Sequence, residues 1–511
     1  MIKKLTNIYL FPLIIIISIN TVISLISTTF FTLYQENEFP YFQKDHVWIL
    51  IPALVMYSLL LYFIYKKRVL ERLSLRILSL GSLIYVALIC AFAIYTFHCG
   101  TVCDAGHVNE ITKSFMAGDY ATPFTWTYLQ IYPFQIEMAA YFQLIYSIFG
   151  VENFLAFQVI NTICIVLVMY LLQRITYEIF ENELLVKWEI VISLFLWPFF
   201  LFVTLVYGDI PGFTLAVCVM YFTIKYIKSS AWKYIFFIGL CFLFGIPIKE
   251  NNAIFLVAFL ITMVLKIIQD KTWKPLVAAL LVLVMSQIGA RAIDQYYISK
   301  AGLPEMLKGT PKISWMVMGI QNTDETGHEC GWYNGFNMNV FMESNGDYEL
   351  AAQKSVEALK EAVIYHLHHP RHAVKYYYHK FVSQWNDPTF QSQLMNEWYS
   401  RHVKQTKAWE FFNYGFGRKI LFHFMNVFHF IVFFFLSIGG WQFLRQWNLP
   451  GAYVLLNTFG GMMFHELVWE SKGRYILPYY VIMIPFAALG IYCLVQWLDQ
   501  KLVVWRERRH A

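Results

Sequence analysis

Charge is what this chain lacks most. Asp, Glu, Lys and Arg account for 14% of its 511 residues, whereas a soluble globular domain carries about 25%. The deficit argues against water as the main solvent and for lipid. The net charge of +6 comes with no basic face: Lys and Arg are scattered through short loops, which argues against a nucleic-acid partner. No heptad seam or strand-like alternation accounts for the apolar content, and no internal repeat or low-complexity segment stands out. Cysteine is sparse as well. Of the eight, Cys164, Cys218, Cys241 and Cys493 fall inside apolar runs, where a thiol packs as a small hydrophobe. Cys99, Cys103 and Cys330 fall in polar loops, an odd number whose spacing leaves their pairing open.

Apolar sequence is abundant, 58% overall with 19% aromatic. Ile14–Phe31, Val47–Ile64, Ile77–Phe97 and Ile476–Leu498 each approach or exceed the ~20 residues that a helix needs to cross a bilayer. Hydropathy predicts about twelve spans, near 7–33, 47–65, 74–98, 154–177, 187–205, 210–228, 233–248, 252–267, 275–293, 418–444, 450–466 and 476–498. Met1-Ile2-Lys3-Lys4 followed by an apolar run reads as a retained first span with signal-anchor character. Alternate loops collect the cations: Lys66, Lys67, Arg68, Arg72 and Arg76, then Arg174 and Lys187, Lys225, Lys228 and Lys233, Lys266, Lys271 and Lys274. Lys3, Lys4, Arg506, Arg508 and Arg509 fall on the same side. The positive-inside rule makes that side cytoplasmic, with both termini inside a plasma membrane.

The expected class is therefore an all-α polytopic membrane protein. Residues 1–73 form two N-terminal spans. Residues 74–293 form a transmembrane core, with an outer loop at 99–133 and an aromatic, amphipathic helix at 134–149 lying along the interface. Residues 294–417 form a small external domain, with a helix expected over Glu349–Tyr378. Residues 418–511 hold the last three spans and a basic tail.

The polar motifs then share the outer face. Asp104 follows the third span; a carboxylate at the hydrocarbon edge is suited to act as a general base, and as an Asp before Ala-Gly it also suits a helix cap. His98, Cys99, Cys103 and His107 around it are ligand types, but their spacing matches no common zinc pattern. Asp209 sits in the turn Tyr207-Gly208-Asp209-Ile210-Pro211-Gly212, able to orient a substrate or, with Asp104, a divalent metal ion, or to serve as a turn acid. Lys249-Glu250-Asn251-Asn252 interrupts two apolar runs: a Lys that meets a phosphate with Glu250 beside it, or a solvated hairpin tip. Glu470-Ser471-Lys472-Gly473-Arg474-Tyr475 places two cations outside, against the charge bias, as an anionic ligand would require; snorkelling anchors are the plainer reading. His465 and Glu466 add polarity just before it. Trp315, Trp332 and Tyr333, among Asn, Asp and Gly, and His107 are candidate sugar or acceptor contacts, or packing residues.

In order and sidedness these motifs resemble the GT-C superfamily of membrane glycosyltransferases, in particular the protein O-mannosyltransferase and lipid A aminoarabinose transferase branch. Asp104 with the stretch through Phe149, Asp209, Lys249-Glu250, and Lys472, Arg474, Tyr475 and Pro478 carry the likeness, from about residue 74 onward. Two departures stand out: two spans precede the core, and the external region is inserted before the last three spans. The resemblance implies a GT-C-like core in the cell envelope, as in bacteria. It implies a polyprenyl-phosphate-linked sugar as donor, with its phosphate near Arg474 and Lys472. Asp104 would be the base for an inverting transfer to a glycan, lipid or protein acceptor, and Asp209 and Glu250 would orient groups or a metal ion. A lipid-linked saccharide flippase and a non-catalytic scaffold are the competing readings. The first suits charges near the midplane better than charges at one face; the second leaves the paired acids and cations without a reason.

Overall fold

In hydrocarbon every backbone N–H and C=O must bond within its own segment, so apolar runs of this length become helices. The computed structural model describes residues 1–34, 37–125, 127–321, 330–403 and 405–510; the side chains of Arg506, Arg508 and Arg509 lie outside the described residues. Among the described residues, eight helices are long and apolar enough to cross a membrane, or ten if each of two bent pairs is one span. The bent pairs are Glu183–Ser193 with Trp197–Thr204, and Gly473–Ile482 with Ile484–Trp505. Two further segments expected to cross are helices of 17 and 19 residues, Trp232–Ile248 and Leu449–Leu467. The first is short, and the second carries Asn457, Thr458, His465 and Glu466 among its apolar residues. The protein is thus an integral, multi-pass helical protein.

Three expected segments take another form. The first helix ends at Ile26, and Ser27–Tyr34 pairs antiparallel with Asn37–Lys44. Thr28, Thr29, Phe30, Phe31 and Thr32 are β-branched or aromatic, the residues that suit a pleated half-buried surface. The Thr29 N–H donates to the Asn386 carbonyl at 3.0 Å and its hydroxyl to the Val382 carbonyl at 2.9 Å, which ties the hairpin to the helix Pro370–Trp385. The helix expected over Glu349–Tyr378 is two helices, Tyr348–His368 and Pro370–Trp385. Pro370 lacks a donor and pushes His369 out of the helical region. The helix expected to end at 293 runs as Lys274–Ala301. The stretch expected at 134–149 is the helix Ile136–Phe149, packed against Cys103–Met116.

The helices Phe416–Arg445 and Ile484–His510 approach until their backbones touch. A Cβ on Gly439 would lie 1.8 Å from the Phe486 carbonyl oxygen, and one on Gly490 2.0 Å from that of Phe435. Gly81, by contrast, has nothing within 4 Å. Gly439→Val should therefore lower the thermal unfolding temperature in detergent, by an overpacking cost of about 1–3 kcal/mol or more. Gly81→Ala should leave it unchanged or raise it. Equal stability of Gly439→Val and the unsubstituted protein would contradict this packing.

Candidate active site

Two turns meet because glycine lets them. A Cβ on Gly208 would lie 2.2 Å from the Ile248 carbonyl, and one on Gly212 would lie 2.5 Å from the Lys249 Cβ. Asn252 locks the contact by donating to the carbonyls of Gly212 and Gly245 at 2.9 and 2.8 Å. The result is an ion pair between Lys249 Nζ and Asp209 Oδ1 at 2.9 Å, both side chains largely buried. Asp209 stands in the first turn of its helix and Lys249 just past the end of another, positions that suit the helix dipoles. The Lys249 ammonium also lies over the rings of Tyr207 and Tyr475, at 5.5 and 5.3 Å. Burial lowers its pKa, and the Asp209 carboxylate opposes that shift.

Arg474 opens the helix Gly473–Ile482 and is 9% exposed. Among the described residues its guanidinium has no ion pair, its Nε has no hydrogen-bond partner, and neither does Asp209 Oδ2. Its neighbour Lys472 pairs with Glu38 of the hairpin at 3.4 Å. Tyr475 donates to Glu470 at 2.9 Å; burial raises the Glu470 pKa against the nearby Lys472 charge.

Arg474, Asp209, Lys249 and Tyr475 line a cleft whose other walls include Phe199, Phe202, Ile210, Phe213, Phe255, Leu477 and Pro478. Charged groups at one part and aromatic or aliphatic walls elsewhere make a site for an amphiphile with an anionic head.

Asp104 lies in the first turn of Cys103–Met116 and is exposed. It is not the cap, which is Val102. The Tyr128 hydroxyl donates to it at 3.2 Å. Burial and then the Asp104 charge push the hydroxyls of Tyr128 and Tyr207 well above the usual phenol range. Its field thus reaches Tyr207, whose ring lies under Lys249.

The remaining candidates spread out. Glu250 pairs with Lys312 and is half exposed, away from the Lys249–Asp209 pair. Trp332 is a packing residue: it is 3% exposed, clusters with Phe31 and Leu394, and donates to Ser383 at 2.8 Å. Its Gly and Asn neighbours give a surface-like pattern, but the hairpin covers the ring. Trp315 stacks on Trp469 with centroids 6.0 Å apart and contacts Tyr132; Tyr333, partly exposed, hydrogen-bonds Tyr132. His107 stacks on Tyr128 at 4.4 Å. Cys99 is buried against Asn396, and Cys103 is exposed. Among the described residues, no group of three or more His, Cys, Asp or Glu side chains is placed to hold a metal ion.

Sequence reasoning missed several groups. Glu38 reaches Lys472 and accepts from Gln391 at 3.1 Å. Glu137 opens Ile136–Phe149, its pKa pushed up to about 8 by burial and then by Asp294 and Glu250. Lys380, fully buried, is pulled down to about 8 by burial. Glu137 is the one charged residue in the helix Ile136–Phe149, and that was the signal available for it. Glu38 and Lys380 share their segments with other charges and belong to no motif.

Residues 137–288 match the family model described as dolichyl-phosphate-mannose-protein mannosyltransferase, a segment that includes Asp209, Lys249 and Glu250. Among solved structures, the archaeal oligosaccharyltransferase AglB from Archaeoglobus fulgidus, in complex with an inhibitory peptide and a dolichol-phosphate, is similar at 12% identity and a TM-score of 0.44. That alignment covers 84% of this chain and 51% of the AglB chain, so this chain spans about half the length of that protein. No curated protein matches. The family match covers 152 of the 511 residues, and over that stretch the chain is similar to the family.

Proposed function

We propose that this protein transfers a sugar from a polyprenyl-phosphate donor to an acceptor at the outer face of a plasma membrane, with inversion at the anomeric carbon. The observation that carries the reading is the cleft: apolar walls fit for a prenyl tail, and at Arg474 a buried guanidinium with no ion pair among the described residues. A phosphate there would accept bidentate hydrogen bonds from Arg474. As the glycosidic bond breaks, charge grows on that phosphate, and a fixed cation in a water-poor site stabilises it. Lys249 adds a second cation, restrained by Asp209.

Asp104 takes the base role. It lies outside the cleft lining, is exposed to an acceptor, and is oriented by the Tyr128 hydroxyl. The acceptor hydroxyl attacks the anomeric carbon, its proton passes to the Asp104 carboxylate, and the bond to the phosphate oxygen breaks. The leaving group departs as the polyprenyl phosphate held by Arg474. Tyr132, in ring contact with Tyr128, and the exposed Tyr333 bonded to it are suited to sugar faces. The donor sugar and the acceptor within the glycan, lipid or protein classes are set by contacts in this region. The Lys/Arg bias of the alternate loops supports an outward-facing site with both termini cytoplasmic.

Asp104→Asn should lower kcat for sugar transfer by about 10²–10⁴-fold while polyprenyl phosphate still binds. Arg474→Ala should instead weaken binding of that lipid by about 2 kcal/mol or more. Full activity in Asp104→Asn would remove it as the base. Sidedness has its own test. In a background with Cys103 and Cys330 replaced by Ser, Asp119→Cys should react with an impermeant thiol reagent added outside intact cells, and Lys271→Cys should not. The reverse pattern would invert the topology.

A further inference from the structure

The segment from Trp469 to Arg474 carries Arg474, the cation assigned to the donor phosphate, yet it is not itself a helix until Gly473. Something must hold it. The Lys380 side chain, 0% exposed, donates from Nζ to the carbonyl of Gly319 at 2.6 Å and to that of Trp469 at 2.9 Å. The Gly319 carbonyl lies in the last turn of the helix Ile313–Ile320, where unpaired carbonyls collect and a cation is favoured. The Trp469 carbonyl lies two residues past the end of Leu449–Leu467. One ammonium therefore joins a helix end to the segment that leads to Arg474. Backbone contact reinforces the joint: a Cβ on Gly319 would lie 2.5 Å from the Trp469 carbonyl oxygen. Two residues further on, the Ser471 N–H donates to the Gly331 carbonyl at 2.7 Å, and Gly331 itself packs on the Lys380 side chain.

We infer that Lys380 is a positioning residue for the donor phosphate, acting through the Trp469 carbonyl on the segment that carries Arg474. It touches neither the cleft nor Asp104. The inference rests on the proposed donor site. Its physical content is that a flexible non-helical segment cannot hold a guanidinium in one place, and a charge-assisted joint one turn before it can. Losing the ammonium leaves two buried carbonyls without this donor and frees the segment to shift.

The test measures the Kd of undecaprenyl phosphate for the full-length protein in detergent, alongside its unfolding temperature. Lys380→Met should raise Kd at least tenfold. Gly319→Ala displaces the same carbonyl while keeping the Lys380 charge, and should also raise Kd at least tenfold; it decides the matter if Lys380→Met does not fold. Val382→Ala makes a cavity in the same helix away from the joint. It should lower the unfolding temperature with Kd within twofold of the unsubstituted protein. A Lys380→Met protein that folds and binds with unchanged Kd would overturn the assignment. So would a Kd change in Val382→Ala as large as in Gly319→Ala, because the effect would then be general loosening. Arg474→Ala separates the two levels. If it binds the lipid as well as the unsubstituted protein, the donor site falls and Lys380's role with it. If it binds weakly while Lys380→Met and Gly319→Ala bind normally, only the Lys380 assignment falls.

Discussion

Burying a charge costs several kcal/mol unless something offsets it, and Arg474 is buried at 9% exposure with no carboxylate paired to it among the described residues. Its neighbours are already engaged. Lys249 holds Asp209, Lys472 holds Glu38, and Glu470 accepts from Tyr475. What is left is the Tyr475 ring beneath the guanidinium, at 5.4 Å, and the more distant pull of Asp209. A buried cation offset only through longer-range charges keeps its guanidinium free for an anion. The surrounding structure is arranged to keep it in place.

That arrangement draws on distant parts of the chain. The hairpin supplies Glu38, the helix Pro370–Trp385 supplies Lys380, and Gln391 accepts the Arg474 N–H at 3.4 Å while donating to Glu38. Residues of the hairpin and of the stretch 370–391 thus converge on the basic segment. In the proposed mechanism they tune where the phosphate sits, and the turns at Asp209 and Lys249 set the far wall.

The sequence made the helical class and the polar turns legible for a physical reason: charge inside apolar runs is costly, so Asp209, Lys249 and Arg474 stand out without any structure. The pairing of Asp209 with Lys249 was not visible, because it depends on Gly208 and Gly212 bringing two turns into contact. The hairpin was hidden because Phe30, Phe31 and Leu33 extend an apolar run past Ile26, and hydropathy does not separate strand from helix. Glu250 looked equivalent to Lys249, but one residue at a helix end changes the facing direction, and it meets Lys312. Trp332 looked like surface because its neighbours are Gly and Asn; burial came from the hairpin, which was itself missed. Lys380 and Glu38 gave no pattern at all, since each acts through a tertiary contact with a segment about 90 or more residues away in the chain.

The central claim is that the cleft holds a polyprenyl phosphate with its head at Arg474. A cryo-EM structure of the protein with bound undecaprenyl phosphate tests this most directly. The account predicts phosphate oxygens within about 3 Å of the Arg474 guanidinium, with the tail running along Phe199, Phe202, Phe213 and Phe255. A lipid phosphate seated elsewhere, with Arg474 paired to a protein carboxylate, would contradict it.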